Sequence, residues 1–122
     1  MAVLRIVADL DSPKPTETAR WYAELFGLEA MMDLGWIVTL GPGGREGVRA
    51  PVQLSIAGEG GSGTPVPHLS IEVDNLDEIH AKAIAENAEI TYPVTTEPWG
   101  VRRFFIRDPE GRILNILSHT DV

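Results

Sequence analysis

Apolar and polar positions along the chain follow two alternating rhythms. Ala19, Tyr22 and Phe26 fall on an i, i+3, i+7 stripe, and so do Leu76, Ile79 and Ala83. That spacing lines one face of a helix. Pro13 and Pro15 suit the start of the first helix. Asn75 with Glu78 resembles a capping box at the start of the second, with Asn in place of Ser or Thr. Short β-branched runs precede each helix, and two further pairs of strands follow. Trp36 to Leu40 runs into the turn sequence Gly41-Pro42-Gly43-Gly44, and Arg103 to Arg107 runs into Asp108-Pro109-Glu110-Gly111. Val52 to Ala57 and Ile113 to Ser118 read as the strands after those turns.

The two halves repeat. Val7-Ala8-Asp9-Leu10-Asp11 reads like Val73-Asp74-Asn75-Leu76-Asp77, an offset of 66. Gly27-Leu28-Glu29 matches Asn87-Ala88-Glu89 at an offset of 60, and Gly and Asn are the residues that best tolerate a left-handed helix end. The change of offset assigns extra residues to the first unit around Ser12-Pro13-Lys14-Pro15. Each unit is expected to run strand, helix, strand, strand, strand. Gly58 to Pro65 has the composition of a linker. A phosphate cradle there would need a helix directly after the glycines, and Pro65-Val66-Pro67 with a strand follows instead. The expected organisation is one domain over 1–122: module one at 1–57, a linker at 58–66 and module two at 67–122.

Composition narrows the chemistry. The 122 residues carry no cysteine, which removes disulfides, thiolate metal sites and cysteine nucleophiles. No apolar run approaches a membrane span, no leader pattern opens the chain, and a cytoplasmic location is expected. The net charge of −8 argues against a nucleic-acid partner, which needs clustered cations. Arg102, Arg103 and Arg107 are the only local basic grouping. An acidic surface could help attract a cationic ligand.

Trp21-Tyr22-Ala23-Glu24-Leu25-Phe26-Gly27-Leu28 and the hairpin from Trp99-Gly100 through Phe104-Phe105-Ile106-Arg107-Asp108-Pro109-Glu110-Gly111-Arg112 resemble the glyoxalase / bleomycin-resistance / extradiol-dioxygenase (vicinal oxygen chelate) superfamily. The resemblance implies an α+β fold in which two βαβββ modules form curved mixed sheets around a cavity. Catalytic members hold a divalent metal there through four strand positions, usually filled by His, Gln or Glu. The repeat places those positions at Ala2, Ser55, His68 and Asn115. His68 is the only plausible metal ligand among them, since a catalytic site normally takes about three protein ligands. A metal cofactor is therefore not expected, and the resemblance is closest to the metal-free, bleomycin-resistance-like branch.

What remains is a pocket for a small organic ligand, mostly apolar with a few placed polar groups. His68, Asn115, Ser55, Trp36, Trp99, Arg103 and Phe105 are its expected lining. His68 could hydrogen-bond a ligand or act as a base. His80 reads as surface or half-buried, and His119 as a terminal surface residue beyond the last strand. The expected function is metal-independent sequestration of an organic ligand or antibiotic by a homodimer. The alternative is a metal-dependent lyase, isomerase or dioxygenase with an atypical ligand set. A third reading, a regulatory module with no ligand, requires a pocket filled by the protein's own side chains.

Overall fold

A computed structural model describes residues 3–42 and 53–120. Ala2, Gly43, Gly44 and Val52 lie outside the described residues. The elements are β1 (Val3–Asp11), α1 (Pro15–Phe26), β2 (Glu29–Asp33), β3 (Ile37–Gly41), β4 (Leu54–Ala57), β5 (Leu69–Val73), α2 (Leu76–Ala85), β6 (Ile90–Glu97), β7 (Val101–Arg107) and β8 (Ile113–His119). This is the α+β class, and the strand–helix–strand–strand–strand order occurs twice as expected. No helix among the described residues is long and apolar enough to cross a membrane.

The chain divides into two compact units. One is Val7–Val66; the other joins Met1–Ile6 to Pro67–Val122. The division falls inside β1, so its first residues belong with the second half of the chain. In the Val7–Val66 unit the strand order is β2-β3-β4-β1, with β1 and β4 parallel and the other pairs antiparallel. Ala19 from α1 packs with Val38, Leu40 and Ile56, and Leu10 and Tyr22 seal the edge. In the other unit the order is β5-β8-β7-β6, with β5 and β8 parallel. Its core is Val73, Leu76, Phe104 and Ile116, against which Ile79 and Ala83 of α2 pack. In α2 the stripe Leu76, Ile79 and Ala83 packs as read from the sequence; in α1 Ala19 and Tyr22 do, but Phe26 is exposed and Ala23 packs instead.

The helix ends explain the repeat. Pro15 occupies the first turn of α1, where its missing N–H is no loss. Gly27 (φ 70°) and Asn87 (φ 59°) both turn left-handed. Leu28 N–H then donates to Ala23 O at 3.0 Å, and Ala88 N–H to Ala83 O at 2.9 Å, satisfying carbonyls that the helices leave open. The expected capping box does not form. Asn75 Nδ2 donates to the Glu78 carboxylate at 3.2 Å, so the two side chains engage each other instead of backbone N–H groups. At the late hairpin, Asp108 Oδ1 accepts from the N–H groups of Glu110 and Arg112, each at 2.9 Å. The Arg112 backbone bond is the chief cause holding the Asp108 carboxyl below its ordinary range.

Gly58–Pro65 is not a loose linker. Gly60 N–H donates to Thr64 O at 2.8 Å and Thr64 N–H to Gly61 O at 3.0 Å. A Cβ on Gly60 would sit 2.1 Å from the Pro65 carbonyl oxygen, so only glycine fits there.

The strand ladders correct the repeat's register. Asp9 pairs with Ser55 across β1 and β4, and Ser70 pairs with Asn115 across β5 and β8. If Ser55 matches Asn115, then Asp9 matches Ser70 and the counterpart of His68 is Val7, not Ala2. The packing agrees, since Leu10 and Ile71 then match as core neighbours, as do Ile56 and Ile116. The Val-x-x-Leu-Asp likeness aligned a strand end with a helix start. It also misplaced the extra residues. The helix starts are aligned without an insertion at Ser12–Pro15, since Lys14 and Asn75 are both N-caps.

Phe104 has no exposed surface. Phe104→Ala should cost about 3–5 kcal/mol, read as a lowered urea midpoint with an unchanged slope.

Candidate functional site

The chemistry gathers on one strand face of the second unit, the face opposite α2. Residues alternate across a sheet, so Ile71, Phe104 and Ile116 turn to the helix while Ser70, Glu72, Arg103, Phe105, Asn115 and Leu117 turn away from it. A face with so many polar groups would ordinarily be wet. Here Glu72, Glu97, Arg103 and Asn115 are all buried.

Their burial is made tolerable by pairing. Arg103, 2% exposed, donates through Nε to Glu97 Oε2 at 2.7 Å, and Tyr92 Oη donates to the same oxygen at 2.9 Å. The guanidinium carbon lies 5.2, 5.0 and 4.8 Å from the ring centroids of Tyr92, Trp99 and Phe105. Three aromatic faces replace the water a guanidinium would otherwise keep. Phe105 is itself buried and Trp99 half-buried, so this aromatic set serves Arg103.

A second cluster faces it across β8. Glu72 accepts from Arg5 Nε at 2.6 Å through one oxygen and meets His119 Nδ1 at 2.7 Å through the other. Leu117 stands between Glu72 on β5 and Arg103 on β7. Burial would push the Glu72 carboxyl up. The His119 hydrogen bond and the Arg5 charge outweigh it and hold Glu72 below its ordinary value. His119 is thus the last residue of β8, engaged with a buried carboxylate, and not a free terminal side chain beyond the strand.

His68 is exposed just before β5. Its N–H donates to Ile113 O at 2.8 Å, and Ile113 N–H donates to His68 Nδ1 at 3.3 Å. A nitrogen that accepts carries no hydrogen, so the neutral ring bears its hydrogen on Nε2. Asn115, two positions along β8 from Ile113, donates through Nδ2 to Ser70 Oγ at 3.0 Å. Its Oδ1 is buried without a hydrogen-bond partner. Such an acceptor costs about 1–3 kcal/mol unless something donates to it.

The remaining expected residues lie in the other unit. Ser55 is buried and shares a 2.7 Å hydrogen bond with Thr39. Trp36 is half-buried in the turn before β3, where its carbonyl accepts from Gly58 N–H at 2.9 Å. A groove in that unit lies under α1, between Ala19, Arg20, Ala23, Asp33 and Leu40, and includes neither residue. His80 is half-buried on α2, edge-on to Phe104 with centroids 4.9 Å apart. The basic grouping is dispersed into separate ion pairs: Arg102 with Asp77, Arg103 with Glu97 and Arg107 with Glu89.

A metal does not fit these donors. Among the described residues no three His, Asp or Glu side chains are grouped to hold one. His68 offers one imidazole, Ser55 is neutral and bonded to Thr39, Asn115 offers only a neutral amide oxygen, and Val7 has nothing to offer. The Glu72–His119 pair is closed to a cation by the Arg5 guanidinium on the same carboxylate.

Glu72, Glu97, Arg5 and Tyr92 were not singled out from the sequence. Glu72 had a signal, since it alternates with Ile71 and Val73 and must face away from the helix they cover.

Two predictions follow from the charges. The Glu72 carboxyl is lowered on folding, so its contribution is present above the ordinary value of 4.5 and lost as pH falls through the folded value. Wild type should therefore lose more unfolding free energy than Glu72→Gln between neutral pH and the region below 4.5, measured by urea titration at each pH. Arg103→Ala should cost about 3–5 kcal/mol by leaving the buried Glu97 carboxylate without its cationic partner. The double variant Arg103→Met with Glu97→Gln should recover much of that in the same assay.

A family model described as "Glyoxalase/Bleomycin resistance protein/Dioxygenase superfamily" matches residues 7–116. No curated protein matches the chain. Several solved structures share the fold. One is titled an NAD-dependent benzaldehyde dehydrogenase from Legionella pneumophila (TM-score 0.72, 19% identity, 93% of this chain and 98% of that one). Another is a glyoxalase/bleomycin resistance protein/dioxygenase superfamily member from Vibrio splendidus 12B01 (0.61, 12%, 97% and 97%). A third is methylmalonyl-CoA epimerase from Mycobacterium tuberculosis (0.61, 16%, 98% and 89%).

Proposed function

The chain belongs to the glyoxalase/bleomycin resistance protein/dioxygenase superfamily, and we propose that within it the protein binds a small organic ligand without a metal. The donor set is the observation that carries this reading. Of the four positions weighed as metal ligands, only His68 has a side chain a transition metal favours, and its Nδ1 already accepts from Ile113 N–H. The same face keeps two groups a ligand uses: an exposed imidazole on His68 and, on Asn115, an amide oxygen without a partner. Within this reading the protein works as a homodimer that sequesters its ligand, with antibiotics among the candidate classes.

Metal content tests the proposal first. Purified protein titrated with zinc, nickel, manganese and iron(II) should show no stoichiometric tight binding. Tight binding lost in His68→Ala would sink the reading and restore the lyase, isomerase or dioxygenase alternative. A thermal-shift screen of cationic antibiotics and small aromatic compounds should then raise the melting temperature with some of them. Raised values that are equally raised in His68→Ala would place the ligand elsewhere.

A further inference from the structure

The donor and acceptor left over on the second unit's strand face specify a ligand group. We propose that His68 and Asn115 together receive a planar amide whose C=O and N–H point the same way, that is, a primary carboxamide or a lactam; this rests on the ligand-binding reading above.

His68 supplies the donor. Because Nδ1 accepts from Ile113 N–H, the ring hydrogen is on Nε2, at the edge of the ring away from β8's backbone. Asn115 supplies the acceptor. Its Nδ2 is committed to Ser70 Oγ, which orients the amide, and its Oδ1 has no partner although the residue is 8% exposed. An oriented, desolvated acceptor of this kind is rare, because nearly all buried polar atoms are hydrogen-bonded. Asn75 Oδ1 is the other such oxygen among the described residues, and it sits at the start of α2, away from this face.

The two groups are neighbours. His68 is bonded to Ile113, and Asn115 follows two residues along β8, so the backbones that carry the two side chains are about 6–7 Å apart at strand spacing. Two hydrogen bonds of about 2.9 Å each can converge from groups so placed onto one amide. The ligand carbonyl accepts from His68 Nε2–H, and the ligand N–H donates to Asn115 Oδ1. A trans secondary amide points its two groups in opposite directions and does not match. A tertiary amide or ester has no N–H, and a carboxylate has only acceptors to set against Oδ1. Oδ1 is covered in the structure, so entry requires a side chain nearby to rotate.

The probe is benzamide, compared with N,N-dimethylbenzamide, methyl benzoate and benzoate, titrated by NMR and followed at the His68 ring and the Asn115 side-chain amide. Benzamide should bind at least ten-fold more tightly than the other three and shift both signals. Asn115→Leu should weaken benzamide about ten-fold and leave dimethylbenzamide unchanged. Its melting temperature should be equal to or above that of wild type, since the orphaned oxygen is gone. His68→Phe, at an exposed position, should weaken benzamide similarly and serves if Asn115→Leu does not fold. Equal binding of benzamide and dimethylbenzamide, no effect of either substitution, or no binding of benzamide would overturn the proposal. If other compounds from the thermal-shift screen still bind in those cases, the ligand-binding reading survives. If none binds, that reading falls with it.

Discussion

The parallel pairing of the first strand of each repeat with its last strand is the constraint on which the rest depends. Side chains alternate faces with a period of two, so the ladder that sets Ser70 beside Asn115 also decides what meets the helix. A slip by one residue would send Ile71 and Ile116 away from α2 and press Glu72 and Asn115 into its core. Hydrophobic cost and charge cost both oppose that slip. Register is therefore fixed twice, by what the helix accepts and by what it cannot.

The charges on the far face are held by mutual commitment. A buried ion pair is weak evidence for stability, because desolvation consumes most of the attraction. Arg103 is instead wrapped by three rings and shares the Glu97 oxygen with the Tyr92 hydroxyl. Glu72 divides its two oxygens between Arg5 and His119. Each carboxylate draws donors from more than one strand, Glu97 from Tyr92 on β6 and Arg103 on β7, and Glu72 from Arg5 on β1 and His119 on β8. Asn115 stands out against this economy, with one end satisfied and the other not.

The architecture could be read from the chain because it rests on short-range rules. The second helix's stripe, Gly27 and Asn87 at the helix ends, and the Asp-Pro-x-Gly turn are local, and each appears where its pattern placed it, while the first helix's stripe holds at Ala19 and Tyr22 but not at Phe26. The strand register could not be read the same way. Val-x-x-Leu-Asp recurs in both halves, but a likeness of letters does not see which carbonyl a strand will pair with, and Asp9 faces Ser55 only through the ladder. His119 shows the same limit. Nothing near it in sequence announces Glu72, which lies 47 residues earlier and reaches it only through the pairing of β5 with β8. Arg103 and Phe105 were visible as members of one face. Their mutual engagement through Tyr92, Trp99 and Glu97 was not, since β6 joins β7 through an irregular register.

β1 belongs to both compact units, and this gives the repeat an asymmetry of inheritance. A fragment cut from Pro67 onward would carry α2 and four strands, yet it would leave behind Arg5, one of the two donors to Glu72. His119 would then face the buried carboxylate alone. The second repeat is therefore not a free-standing building block. Whoever would duplicate, swap or permute these modules must move the junction to Ile6 and Val7 and carry the opening residues along.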